Sequence, residues 1–200
     1  LIEVVTYPDM KTPAEVVEAG HYIRYLTRST GKVNTGIGAA RQDVNVSVSG
    51  GTRVEIKGVA HIKWFAGLTH NEAFRQKALL EIARLLNNGN EDKENWQPRM
   101  EDLTGRIEVE VPSLLKDTDI AVTGIGLPGF EHILSFFTQP GQMFADEIEQ
   151  RLHVIACLEP PFMASSEDRE QRISDSARSV MKETFGGMPW LLVWGPKEDM

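Results

Sequence analysis

The sequence predicts an α+β chain in two parts, and three observations carry that prediction. Residues 43–57 alternate valines with polar residues as a hairpin does, and segments with helix-start signals and amphipathic stripes flank them. Beyond residue 100, short apolar runs of strand length alternate with helix-length segments.

The elements follow in order. Leu1 to Val5 is apolar enough for a strand. Thr12-Pro13-Ala14-Glu15 is a capping box with proline at the first helical position. The helix it opens carries Val16, Ala19, Ile23 and Leu26 on one stripe and stops at Gly31. In the hairpin, Val44, Val46 and Val48 take one side, and Asp43, Asn45, Ser47 and Ser49 the other. Val54 and Ile56 then oppose Arg53, Glu55 and Lys57. A two-residue Gly50-Gly51 loop would mix the faces, whereas a Gly50-Gly51-Thr52 loop sets Val46 opposite Ile56 and Val48 opposite Val54. In that register Asp43 lies four residues from the position opposite Glu55, roughly 13 Å at ~3.3 Å per residue. The two acids then flank one elongated polar site. A solvated face laced with ion pairs is the ordinary alternative. Against it, Asn and Asp are poor strand formers and need a reason to sit among valines.

A long helix follows to about residue 86, with Phe74, Ala78, Ile82 and Leu85 as its buried line. Residues 87–100 are polar and turn-rich, a linker. In the second half, Ile107 to Val111, Ile120 to Ile125, His153 to Leu158 and Trp190 to Trp194 are expected as strands. Phe130 to Phe137, Phe144 to Leu152 and Glu167 to Thr184 are expected as helices on one antiparallel sheet. Leu127-Pro128-Gly129-Phe130 is expected as a tight turn, and Met143, Phe144, Trp190 and Trp194 as core. The acid pairs there have structural readings: Asp146 and Glu147 at an exposed helix start, and Ser165/Ser166-Glu167 as an N-cap with first-turn acids.

Composition excludes more than it assigns. No apolar run here is long enough to span a membrane, and no signal peptide is expected. Cys157 is alone, which rules out an internal disulfide and suits a buried thiol in a reducing cytoplasm. The five histidines have no zinc-ligand spacing. Residues 1–100 carry 13 Lys and Arg against 11 Asp and Glu, while residues 101–200 carry 8 against 18. The acidic second half lacks the basic patch that nucleic acid needs, so the first half is the better candidate for any such contact.

Gly36-Ile-Gly38 with Arg41-Gln-Asp-Val-Asn-Val-Ser-Val48, followed by GGTRVEIKG, resembles the catalytic cradle of the tRNA-dependent amidotransferase B and E subunits (the GatB/GatE family). The opening LIEVV, Pro8-Asp9-Met10 and Thr12-Pro13 are similar to the same family, and the compact hairpin looks more like the E type. The resemblance covers residues 1 to about 86. More loosely, LPGF, PGQMFADEI, HVIACL and Ser165-Ser166-Glu167-Asp168 are similar to the GAD domain. That module is inserted in the E-type subunit and in bacterial aspartyl-tRNA synthetases. The resemblance implies a partial cradle over 1–86, the linker, and a ferredoxin-like α+β GAD domain over 101–200.

The resemblance also implies a carbon–nitrogen ligase of translation, in the cytoplasm, that uses ATP and Mg2+. The γ-carboxylate of glutamate mis-attached to glutamine tRNA is phosphorylated, and ammonia from a partner amidase or asparaginase subunit displaces the phosphate. Position by position, Glu3, Asp43 and Glu55 match acidic metal-site positions, and Asp43, Glu55 and Lys57 are the catalytic candidates. Chemistry and side of the sheet add Arg41 and Lys57 for phosphate or carboxylate contacts, and Asn45 and Ser47 for hydrogen bonding. Gly36 and Gly38 suit backbone approach to a phosphate or, equally, a plain turn. The chain opens on Leu1, without the family's upstream histidine/glutamate strand or its later tRNA-gripping domains, so it is expected to be a fragment, inactive alone. The alternatives are a non-catalytic protein-interaction module and an aspartyl-tRNA synthetase fragment.

Overall fold

The computed structural model describes residues 3–36, 39–89, 94–156 and 162–200. They divide into two compact units, residues 1–80 and 81–200.

In the first unit, helix α1 (Pro13–Ser29) begins as its capping box requires: the Thr12 side chain accepts from Glu15 N–H, and Glu15 reaches back to the Thr12 N–H. Gly31 ends it in the left-handed region, at φ +64°. Strands β1 (Gln42–Val46) and β2 (Val54–Val59) form an antiparallel hairpin. A short 3-10 turn leads from β2 into helix α2 (Phe65–Gly89). Val44, Val46, Val59, Ile62 and Phe65 form the core, with Val16 and Val17 of α1 packed against it. Gly20 is the one buried residue of α1, because a Cβ there would meet the Phe65 ring at 2.8 Å. The N-terminal strand is not formed: described residues 3–7 are irregular and exposed, with no strand partner. Phe74 is exposed, and Ala78 and Ile82 carry the burial of α2 with Gln76.

The hairpin register differs from the expected one by two residues. Val44 lies opposite Ile56, Asn45 opposite Glu55, and Val46 opposite Val54. A slip of two keeps the valines on their face, so alternation alone could not choose. Gln76 shows why β1 ends at Val46. Its side-chain amide donates to Val46 C=O at 3.1 Å and accepts from Val48 N–H at 3.1 Å, standing where a strand neighbour would. Ser47 and Arg53 therefore fall in a longer loop, not on the ladder.

The second unit is built on a four-stranded antiparallel sheet in the order β3-β4-β8-β7 (Arg99–Asp102, Ile120–Gly126, Trp190–Pro196 and Met163–Ser165). A small hairpin, β5 (Phe137–Gln139) with β6 (Gln142–Met143), precedes helix α3 (Phe144–Ala156), and α4 (Asp175–Phe185) precedes β8. Leu103, Leu134, Met181 and Leu192 are sealed in its core, with Trp190 and Trp194. Gly124 and Gly126 on the inner face of β4 leave room for Phe185 of α4; a Cβ at either would come within 2.8 Å of that ring.

Several expectations for this unit are corrected. The order of elements is not the ferredoxin β-α-β-β-α-β. A split unit remains, β4-α3-β7 with β8 between, but α4 lies between the adjacent β7 and β8, and β3 precedes them all. Residues 107–111 form no strand; Ile107 is buried as a loop anchor, and the ladder is made by Arg99–Asp102. The helix expected over Phe130 to Phe137 is not formed: residues 130–136 are turns leading into β5, with His132 at φ +63°, which breaks any helix. His153 to Ala156 continues α3, and Cys157 to Pro161 lie outside the described residues. Glu167 to Ser174 is turns, and the helix starts only at Asp175 under a Ser174 cap. Glu147, expected at an exposed helix start, is 5% exposed. Glu167 is not in a first turn either: its carboxylate accepts from His132 N–H at 2.6 Å and Ser135 N–H at 2.7 Å, pinning the 130–136 turns.

Candidate functional site

The open face of the first unit's hairpin gathers four of the nine candidate residues, among them the three proposed as catalytic. Strand alternation turns Val44 and Val46 inward and leaves Asp43, Asn45, Glu55 and Lys57 exposed. Asn45 faces Glu55 across the ladder. Asp43 is two residues from that cross-strand pair, roughly 7 Å along the strand at ~3.3 Å per residue, half the expected separation.

Lys57 Nζ pairs with Glu55 Oε2 at 3.1 Å. The hydrogen bond to Glu55, then the Glu55 charge and more weakly the Asp43 charge, hold the Lys57 ammonium above its ordinary range against a small opposing effect of burial. The Lys57 side chain is 72% exposed and that of Glu55 37%, so the pair orients the amine more than it stabilises the fold. Alternation also breaks in β2. Gln42 pairs with Val59 while Val44 pairs with Ile56, so Lys57 and Gly58 together oppose Asp43 in a β-bulge. Gly58 takes φ +67°, and its N–H donates to Asp43 Oδ1 at 2.7 Å. The bulge carries Val59 to the core face, where it is 6% exposed.

Other candidates lie apart from this cluster. Arg41 precedes β1 and is exposed, and Ser47 begins the loop after it. Glu3 sits exposed in the irregular N-terminal segment, and nothing in the fold brings it to the pair. Gly36 adopts φ +114° in a loop, a conformation that suits glycine, and Gly38 lies outside the described residues. Gln76 and Gly58 were missed in the sequence. The interruption of period two at Lys57-Gly58-Val59 was the signal for the second; nothing marked Gln76.

Among the described residues no group of three His, Cys, Asp or Glu is placed to hold a metal ion. Two carboxylates on one open face are nonetheless the oxygen donors that suit magnesium, which keeps its waters and takes one or two carboxylates plus substrate phosphates. By themselves the two carboxylates make no protein cage for an ion. No described helix is long and apolar enough to cross a membrane.

Fold and site together define a class: an α+β chain whose hairpin displays acid, amine and amide groups on one open face. The chain belongs to the GatB/GatE catalytic domain family, whose match covers residues 1–125 and so runs beyond the first unit into β4. It is 33% identical to the E subunit of the glutamyl-tRNA(Gln) amidotransferase from Sulfolobus acidocaldarius, over all of this chain and 33% of the relative. It is 31% identical to the corresponding protein of Caldivirga maquilingensis, over 98% of this chain and 32% of the relative. Against that of Pyrobaculum aerophilum identity is 37%, over 74% of this chain and 24% of the relative. The chain thus spans about a third of the length of the curated relatives it matches.

Proposed function

We propose that this chain is part of a protein that activates Glu-tRNA(Gln) with ATP and amidates it to Gln-tRNA(Gln) in the cytoplasm. The observation that carries this reading is the grouping of Asp43, Asn45, Glu55 and Lys57 on one open hairpin face, in a chain of this family. In the reaction a γ-carboxylate oxygen of the glutamyl group attacks the γ-phosphorus of ATP, and ADP leaves. Ammonia then attacks the acyl carbon, phosphate leaves, and the amide loses a proton to solvent. A magnesium ion bound with the nucleotide would supply neutralising charge to the phosphoryl oxygens.

On this reading Asp43 and Glu55 are the carboxylates that hold that ion. Glu3 would join them only by movement of its irregular segment. Lys57 supplies positive charge where the phosphoryl group or the substrate carboxylate approaches, and Asn45 offers a neutral hydrogen-bonding group beside Glu55. Arg41, just before β1, contributes a phosphate or carboxylate contact, Ser47, just after it, a hydrogen bond, and the glycines at 36 and 38 allow backbone approach to a phosphate. The ammonia comes from a partner amidase or asparaginase. The second half carries the GAD-like insertion.

The test is to place Asp43→Asn and Glu55→Gln in the complete protein with its partner and follow ATP-dependent conversion of Glu-tRNA to Gln-tRNA. Each should lower kcat by about 10²-fold, with an unchanged melting temperature. Wild-type turnover in both would remove the proposal.

A further inference from the structure

We infer that one flank of α1 is an RNA-contact surface: Arg24 and Arg28 take phosphates, and Tyr25 stacks on an unpaired base. The choice of RNA as the occupant rests on the tRNA reading above. Residues 19–42 hold Arg24, Arg28, Lys32 and Arg41 and no aspartate or glutamate, in a chain whose net charge is −8. Val16, Val17 and Gly20 turn α1 to the core. His21, Arg24, Tyr25 and Arg28 recur at helical spacing beside that seam and, with Ser29, line a shallow groove open to solvent. All five are exposed, and from His21 to Arg28 the groove runs about 10 Å along the helix at ~1.5 Å per residue.

Among the described residues no carboxylate pairs with Arg24, Arg28 or Lys32. The helix macrodipole accounts for Arg28, in the last turn, and for neither tyrosine. Tyr22 is 64% exposed and Tyr25 70%, and Tyr25 shares the groove with two arginines one turn apart. Uncommitted guanidinium groups beside exposed rings meet both needs of a single-stranded nucleic acid, charge for its backbone and a platform for a base. An acidic polypeptide matches the charge alone and brings the rings no base to stack on.

The probe is a fluorescein-labelled, unpaired RNA of mixed sequence, about 12 nucleotides long, titrated with the 200-residue chain by anisotropy from about 0.05 to 0.2 M salt. The acids of the second half lower the affinity of every variant alike, so differences between variants carry the result. Arg24→Gln with Arg28→Gln should weaken binding and reduce the slope of log K against log[salt] by about 1.4, two phosphates at ~0.7 each. Tyr25→Ala should weaken binding about fivefold or more, and Tyr25→Phe, which keeps the ring, should stay within about twofold of wild type. Melting temperatures should match, because the altered side chains are exposed. In the complete protein with its partner, the double variant and Tyr25→Ala should raise KM for Glu-tRNA and leave kcat unchanged. No RNA binding, an unchanged salt slope in the double variant, or polyglutamate competing as well as RNA of equal charge overturns the surface. The tRNA reading then stands as long as the wild-type protein still converts Glu-tRNA to Gln-tRNA. Failure of that conversion overturns the reading instead, and RNA binding that the variants lose still upholds the surface.

Discussion

Glu15 accepts two backbone N–H groups at the start of α1, from Lys11 at 2.6 Å and Thr12 at 2.8 Å. Those bonds, the Lys11 one foremost, hold its carboxyl below the ordinary value of 4.5. A depressed folded value means the contribution to stability is complete above pH 4.5 and is lost as pH falls through the folded value. Glu15→Gln should therefore lower the melting temperature at pH 7, and the gap to wild type should close as pH drops below 4. A gap that stays constant with pH would assign the effect to shape instead of charge. This residue was legible in the letters, because a capping box is local: four consecutive side chains specify it. Asp43 was legible only in part. Its face follows from alternation, but its tie to Gly58 depends on a register that the valines cannot distinguish from one slipped by two.

At the scale of elements the same division holds. α1, β8 and the start of α3 begin where caps and periodicity put them, although the α1 stripe is only partly covered and its last member, Leu26, is exposed. Residues 130–136 and 167–174 mislead, being apolar or polar at helical spacing yet built as turns. There a long-range bond decides: Glu167 binds backbone N–H groups at His132 and Ser135, more than thirty residues away in sequence. No window of sequence contains both ends of that bond. Glu167→Ala leaves two N–H groups without their charged acceptor and should destabilise the protein by on the order of 2 kcal/mol, measured by urea denaturation. Glu167→Gln should recover part of that loss through its single carbonyl oxygen. A loss below about 0.5 kcal/mol would show that water replaces the carboxylate.

For the whole molecule, the net charge of −8 is concentrated in the second half. Among the described residues Arg172 bonds Glu149 at 2.6 Å and reaches Asp146 at 3.5 Å, and Arg99 pairs with Glu101 at 3.1 Å, while most of the other acids are exposed. Self-repulsion of this kind is screened by salt. Raising NaCl from about 0.01 M, where the screening length is ~30 Å, to about 0.5 M should raise the melting temperature. A fall would mean that ion pairs, Arg172 among them, outweigh the repulsion. The charge division was readable from composition, because net charge needs no fold. The sheet order β3-β4-β8-β7 was not, since strand type and number do not specify which strands become neighbours.

The kink in β2 has a consequence for how this hairpin tolerates change. Its pairing is pinned at the end remote from the connecting residues 47–53, by Gly58 and Asp43. Lengthening or trimming that connection alters the tip and leaves the acid-bearing rungs in place, so the arm is free to drift in evolution or to accept a grafted segment. Losing the pin at position 58 has the opposite result: the tip survives while the rungs slide.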